Sequence, residues 1–171
     1  LEHLNRQTFM IVEYGIESVS NQTLLRVNRG HDFECSRRAL AETHDRGILT
    51  CGHIILGLPG ESAEDNIRQS EVVSNLKLDI LKLHQLQIIK GTQLAEEYCR
   101  EPFKLYSADE YIDLCIRYLE RLRNNIIVER FVSQSPADML IAPKWGLKNY
   151  EFTNRLVNEM KRRGTWQGRL L

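Results

Sequence analysis

Three apolar-rich runs, each closed by a glycine-containing turn and separated from the next by a stretch of helical period, constrain this chain more than any other feature it has. The first, FMIVEYGIES over residues 9 to 18, is β-branched and aromatic, as a strand buried in a parallel sheet is. Ser20 can cap the short amphipathic stretch NQTLLRVNRG, in which Leu24, Leu25 and Val27 are apolar before Gly30 stops it. Asp32 is a second N-cap candidate, and Phe33, Ala39 and Leu40 lie at helical spacing until Gly47, which suits the position just past a helix end. The second run, ILTCGHIILGLPG over residues 48 to 60, passes through S-A-E-D, a start like a capping box, into a helix carrying Ile67, Val73 and Leu76. The third, DILKLHQLQII over residues 79 to 89, alternates and then turns fully apolar before Lys90-Gly91-Thr92.

Strand, helix, strand, helix, strand with short connections predicts an α/β fold with three adjacent parallel strands, because crossovers of this kind are right-handed. Three such strands make half a barrel or a small open sheet. After Gly91 the pattern changes to helices from about Gln93 to Arg100 and from Ser107 to about Arg123, a short strand IIVERFV at 126 to 132, and a last helix across 150 to 163. The expected division is therefore a half-barrel over residues 1 to 100 and a mostly helical extension over residues 101 to 171.

The 171 residues, 42% hydrophobic and 27% charged, suffice for one core. Lys+Arg and Asp+Glu both number 23, so net charge points to no nucleic acid, acidic substrate or membrane surface. No apolar run approaches the roughly 20 residues that cross a bilayer, and LEHLNRQTF lacks a signal architecture, so a soluble cytoplasmic chain is expected. Cys35, Cys51, Cys99 and Cys115 are too dispersed for the close pairs of zinc or cluster sites, and no metal ligands are assigned among them.

In parallel α/β folds ligands sit at the carboxyl ends of the strands. At the first end, Glu17 and Ser18 of GIES lie near Arg29; a carboxylate and a guanidinium on one rim could hold the hydroxyls and carboxylate of an amino-acid-bearing ligand, or simply pair with one another. At the second, His53 lies within the strand and Ile55, Leu56, Gly57 and Leu58 at its end, where exposed backbone and aliphatic side chains suit a flat heterocycle such as adenine; ordinary turn chemistry explains them too. At the third, Gln85 and Leu86 could complete a ligand wall. Gln85, His84, Lys90, Arg130 and Trp145 are candidates for a substrate-facing surface, while Trp145 and Trp166 could equally anchor the extension.

VEYGIES, LLRVNRGHD, CGHIILGLPGE and KLHQLQIIKGTQLAEEY together resemble the back half of the radical S-adenosylmethionine (radical SAM) core over about residues 9 to 100, in particular a bacterial subfamily described only as Fe-S oxidoreductases. The likeness extends more distantly to oxygen-independent coproporphyrinogen dehydrogenase and to Elongator catalytic subunits. SADEYIDLCIRYLERL, MLIAPKWGL and RRGTWQG look like that subfamily's tail. The resemblance implies a partial (β/α)6 TIM-like barrel that uses SAM and a four-iron four-sulfur cluster to make a 5′-deoxyadenosyl radical for hydrogen abstraction. It implies that Glu17 and Ser18 approach the SAM ribose, that Arg29 meets the methionyl carboxylate, and that Ile55, Leu56 and Leu58 line the adenine site. His53 stands where some relatives have an Asp for the ribose hydroxyls, which an imidazole cannot match in acceptors.

The family's C-x-x-x-C-x-x-C loop is absent from these 171 residues, and thiolates are what hold such clusters. The chain begins at Leu1, in what reads as an element leading into a strand. The expectation is that the first barrel strands lie upstream, that this chain alone neither binds a cluster nor cleaves SAM, and that an exposed barrel edge could let it dimerise. A phosphate- or nucleotide-binding barrel and a non-catalytic interaction module stay open as alternatives.

Overall fold

In the computed structural model, which describes residues 1–171, the first two apolar runs each become a parallel strand, while the third, expected as one strand, divides into a parallel strand, Ile80–Gln85, and a two-residue strand, Ile88–Ile89, that pairs antiparallel with Leu140–Ala142 in a separate sheet. The elements in chain order are α1 (Glu2–Asn5), β1 (Ile11–Glu17), α2 (Asn21–Arg26), α3 (Phe33–His44), β2 (Leu49–Leu56), α4 (Ala63–Ser74), β3 (Ile80–Gln85), β4 (Ile88–Ile89), α5 (Gln93–Arg100), α6 (Ala108–Leu119), β5 (Ile127–Arg130), β6 (Leu140–Ala142) and α7 (Asn149–Arg163). The main sheet runs β1-β2-β3-β5, and every pairing in it is parallel. This is the arc of parallel strands that the α/β alternation predicts. No helix is long and apolar enough to cross a membrane.

The strand pleat sorts side chains to two faces. Ile16 from β1, Ile54 and Leu56 from β2, and Leu81 and Leu83 from β3 are fully buried on one face, in a core shared with Ile67 and Val73 of α4 and Tyr111, Leu114, Cys115 and Tyr118 of α6. The other face carries Glu13, His53, Ile55, Lys82 and His84, a polar lining no apolar core would tolerate without pairing. Polar side chains close the helix starts: Ser20, Asp32, Ser62, Thr92 and Ser107 accept from Thr23, Cys35, Asp65, Ala95 and Glu110 N–H groups, and Ser62 and Ser107 form reciprocal capping boxes with Asp65 and Glu110.

Sheet and core both run across residue 100. The short strand expected inside a helical extension is β5, which pairs with β3 through Ile80↔Ile127 and Leu81↔Val128, and α6 packs on α4 over the sheet. The segment from 101 onward thus supplies the fourth strand and the helix before it. An aromatic cluster then fastens α7: the Trp145 ring stacks on Phe152 at 6.0 Å, and Tyr111 lies 5.5 Å from Phe152. Trp145 Nε1 also donates to Tyr106 O at 3.1 Å, so this residue anchors the tail. Trp166 is 61% exposed and docks nothing comparable.

Candidate functional site

At the carboxyl ends of the strands lies a cleft of about 420 Å³ lined in part by Glu17, Asn28, Arg29, Ile55, Leu58, Leu86 and Gln87. Its first wall depends on a break in β1: the register with β2 slips between Gly15 and Glu17, and Glu17 ends the strand at φ 65°, a left-handed conformation that a glutamate rarely adopts. Asn28, on the same cleft, is the other non-glycine residue at positive φ. Such conformations cost of order 1–3 kcal/mol and persist where the surroundings impose them. Here they turn the chain so that Glu17 and Arg29 meet over Gly15.

Arg29 Nη2 donates to Gly15 O at 2.7 Å, while its Nε is buried without a partner. Burial raises the Glu17 carboxyl above its usual range, and Arg29, acting through charge, offsets part of that. No salt bridge joins the two side chains, and both line the cleft. A Cβ at Gly15 would overlap Glu17 Oε1 and lie 2.7 Å from Arg29 Nη2, so the absence of a side chain there makes their approach possible.

The second wall is the turn after β2. Gly57, at φ 90°, leaves room for the Tyr106 ring, which a Cβ would meet at 3.0 Å, and its N–H donates to Asn66 Oδ1 at 2.9 Å. Glu61, at the end of the turn, accepts from Ser18 Oγ at 2.5 Å and from Gln69 Nε2 at 2.9 Å. Burial pushes its carboxyl upward, against the hydrogen bonds from Ser18, Thr23 and Gln69. This clasp joins the end of β1 to α4. The third wall follows β3, where the Gln87 Oε1 accepts from Ser133 Oγ at 3.1 Å and Ser135 Oγ at 2.8 Å.

Nearer the N-terminal ends of the strands, on the same face, lies a second polar layer. Glu13 binds the Lys82 ammonium and accepts from, or pairs with, His53 Nε2 at 3.1 Å; the Lys82 hydrogen bond is the main reason its carboxyl is held low. The His53 and His84 rings lie 5.2 Å apart, and burial, with the nearby His53 charge, pushes His84 down to about 4 and so keeps it neutral. Burial raises the Cys51 thiol to about 11.

Of the residues predicted for the site, Glu17, Arg29, Ile55 and Leu58 converge on the cleft. Leu56 does not: strand alternation turns it to the helix-covered face, fully buried, where it cannot touch a ligand. Ser18 is also fully buried, its hydroxyl committed to Glu61. His53 is on the ligand-side face but one layer below the cleft, tied to Glu13. Leu86 lines the cleft, whereas Gln85 is buried and exchanges hydrogen bonds with Ser133. Sequence reading missed Asn28, Glu61 and Gln87. The N-R pair before Gly30 and the polar residue after each turn were the available signals, but a turn glycine explains them equally well.

The residues fit one half of the implied cofactor set and not the other. A carboxylate and a guanidinium beside an aliphatic wall suit SAM's ribose, methionyl and adenine parts. A four-iron cluster is not suited: the group of potential metal ligands drawn together by the fold contains one cysteine, Cys51, while Cys115 lies in the helical core and Cys99 is exposed on α5.

A four-stranded parallel sheet flanked by helices, with a cleft at its carboxyl rim, defines an α/β class of protein. Residues 78–162 match the model of the Radical_SAM C-terminal domain. The chain is 32% identical to uncharacterized protein YtqA of Bacillus subtilis over 99% of this chain and 52% of that protein. It is 34% identical to uncharacterized protein MJ0486 of Methanocaldococcus jannaschii over 92% of this chain and 49% of that one. It therefore spans about half the length of these relatives. The archaeal Methanocaldococcus infernus Elp3 with an N-terminal deletion superimposes with a TM-score of 0.84 at 24% identity, covering 97% of this chain and 39% of that one, which shows a common fold. The chain belongs to the radical SAM superfamily, as a C-terminal part that lacks the cluster-binding cysteine motif.

Proposed function

We propose that the rim cleft is one wall of a SAM site in a radical SAM Fe-S enzyme whose cluster-bearing wall lies on polypeptide outside these 171 residues. The convergence of Glu17, Arg29, Ile55 and Leu58 at one strand rim supports this reading most directly. Arg29 offers its guanidinium to the methionyl carboxylate, and Glu17 offers acceptors to the ribose hydroxyls. Ile55, Leu58 and Leu86 exclude water from the adenine face. The chemistry SAM supplies in this superfamily is a 5′-deoxyadenosyl radical, made by reductive cleavage, that abstracts hydrogen from a substrate; the substrate class is open.

The test uses the intact enzyme, with the polypeptide that carries the cysteine motif. Arg29→Ala removes a charged hydrogen-bond partner, about 2 kcal/mol, so SAM should bind roughly 30-fold more weakly by equilibrium dialysis and form less 5′-deoxyadenosine. Unchanged SAM affinity in both Arg29→Ala and Glu17→Gln would sink the assignment. Residues 1–171 alone, reconstituted anaerobically, should take up no stoichiometric iron and sulfide.

A further inference from the structure

We propose that Glu13, Cys51 and His53 form a binding site for a single divalent ion of the zinc class, below the rim cleft and separate from it. Parallel pairing builds the site: Glu13 on β1 is the register partner of Cys51 on β2, and His53 follows two residues later on the same face. Their ligand atoms lie within 4.8 Å of one another. A tetrahedral ion with bonds of roughly 2.0–2.3 Å needs its ligands about 3.3–3.8 Å apart, a contraction that rotation of the solvent-facing Glu13 can supply. One thiol, one imidazole and one carboxylate form a mixed set suited to zinc or cobalt and unable to hold a four-iron cluster.

Two further observations belong to this site. His84, whose ring lies 5.2 Å from that of His53, has a buried Nε2 without a hydrogen-bond partner. Lys82 holds the position of counter-ion to Glu13, yet it also lies 3.4 Å from Glu129, so its charge stays paired when Glu13 turns to a metal. Binding moves the Cys51 thiol proton to solvent and forms a thiolate–metal bond, releasing one proton for each ion bound and changing no oxidation state.

Cobalt(II) is the probe, added to the chain with Cys35→Ser and Cys99→Ser so that thiols outside the sheet and core cannot contribute. The expected result is saturable 1:1 binding with a near-ultraviolet thiolate-to-cobalt charge-transfer band and the intense visible bands of four-coordinate cobalt, both lost on adding zinc. Cys51→Ser should abolish the charge-transfer band. His53→Ala and Glu13→Gln should weaken binding at least ~10-fold, and Glu13, being exposed, keeps that test clear of misfolding. Lys82→Met, which removes the competing ammonium, should tighten binding, an effect a structural role for the cluster would not produce. Absence of 1:1 binding, or a charge-transfer band that survives Cys51→Ser, overturns the proposal.

Discussion

Gly15 and Gly57 are both glycines at the rim, but they do different work. Gly15 is a strand residue whose added Cβ would press only on the far ends of two flexible side chains, Glu17 and Arg29. Gly15→Ala should therefore change stability by no more than about 1 kcal/mol in urea denaturation while driving the carboxylate and guanidinium from the cleft, so that SAM affinity in the intact enzyme falls. Gly57 is at φ 90° against the Tyr106 ring, so Gly57→Ala should cost about 1–3 kcal/mol by the same measurement. Glu17 stores a different cost. Its carboxyl is raised by burial, so the folded state holds that proton more tightly than the unfolded chain. Stability attributable to Glu17 is thus greatest below the ordinary carboxylate range and falls as pH rises through its elevated value. Glu17→Gln should remove this slope and raise the melting temperature at pH 7 in a thermal scan.

Among the elements, α4 puts Ile67 and Val73 into the core and α7 puts Phe152 and Leu156 there. The α4 capping box faces solvent, so Ser62→Ala should cost about 1 kcal/mol without altering the buried packing. Phe152 of α7 is fully buried between Trp145, Tyr111 and Phe131, and Phe152→Ala should cost about 3–5 kcal/mol in urea denaturation. Trp145 fluorescence reports this change from inside the cluster, whereas Trp166 remains exposed.

For the molecule as a whole, β1 and β5 are the sheet's edges, and Phe9, Ile11 and Ile127 are exposed along them. Unpaired strands with apolar side chains promote pairing with a second copy. Sedimentation of residues 1–171 should show concentration-dependent self-association, and Ile11→Lys should weaken it by placing a charge on the edge; association unchanged by Ile11→Lys would point to another surface.

The α/β alternation, the positions of the four main-sheet strands and most of the helix caps were legible because they follow from local rules (period, turn glycines, and oxygen side chains at helix starts), whereas the small β4–β6 sheet was not. FMIVEYGIES, ILTCGHIILGLPG and the Ser62 cap each carry that information within a few residues. Glu17, Arg29 and Leu58 were legible as rim residues because strand ends locate ligands in such folds. Which face each residue takes was decided only in three dimensions: a bulge after Gly15 rotated Glu17 toward the cleft, and the pleat carried Leu56 to the helices. The same holds for β5 joining the main sheet and for Glu13, Cys51 and His53 meeting across two strands, since pairing register depends on contacts between residues far apart along the chain.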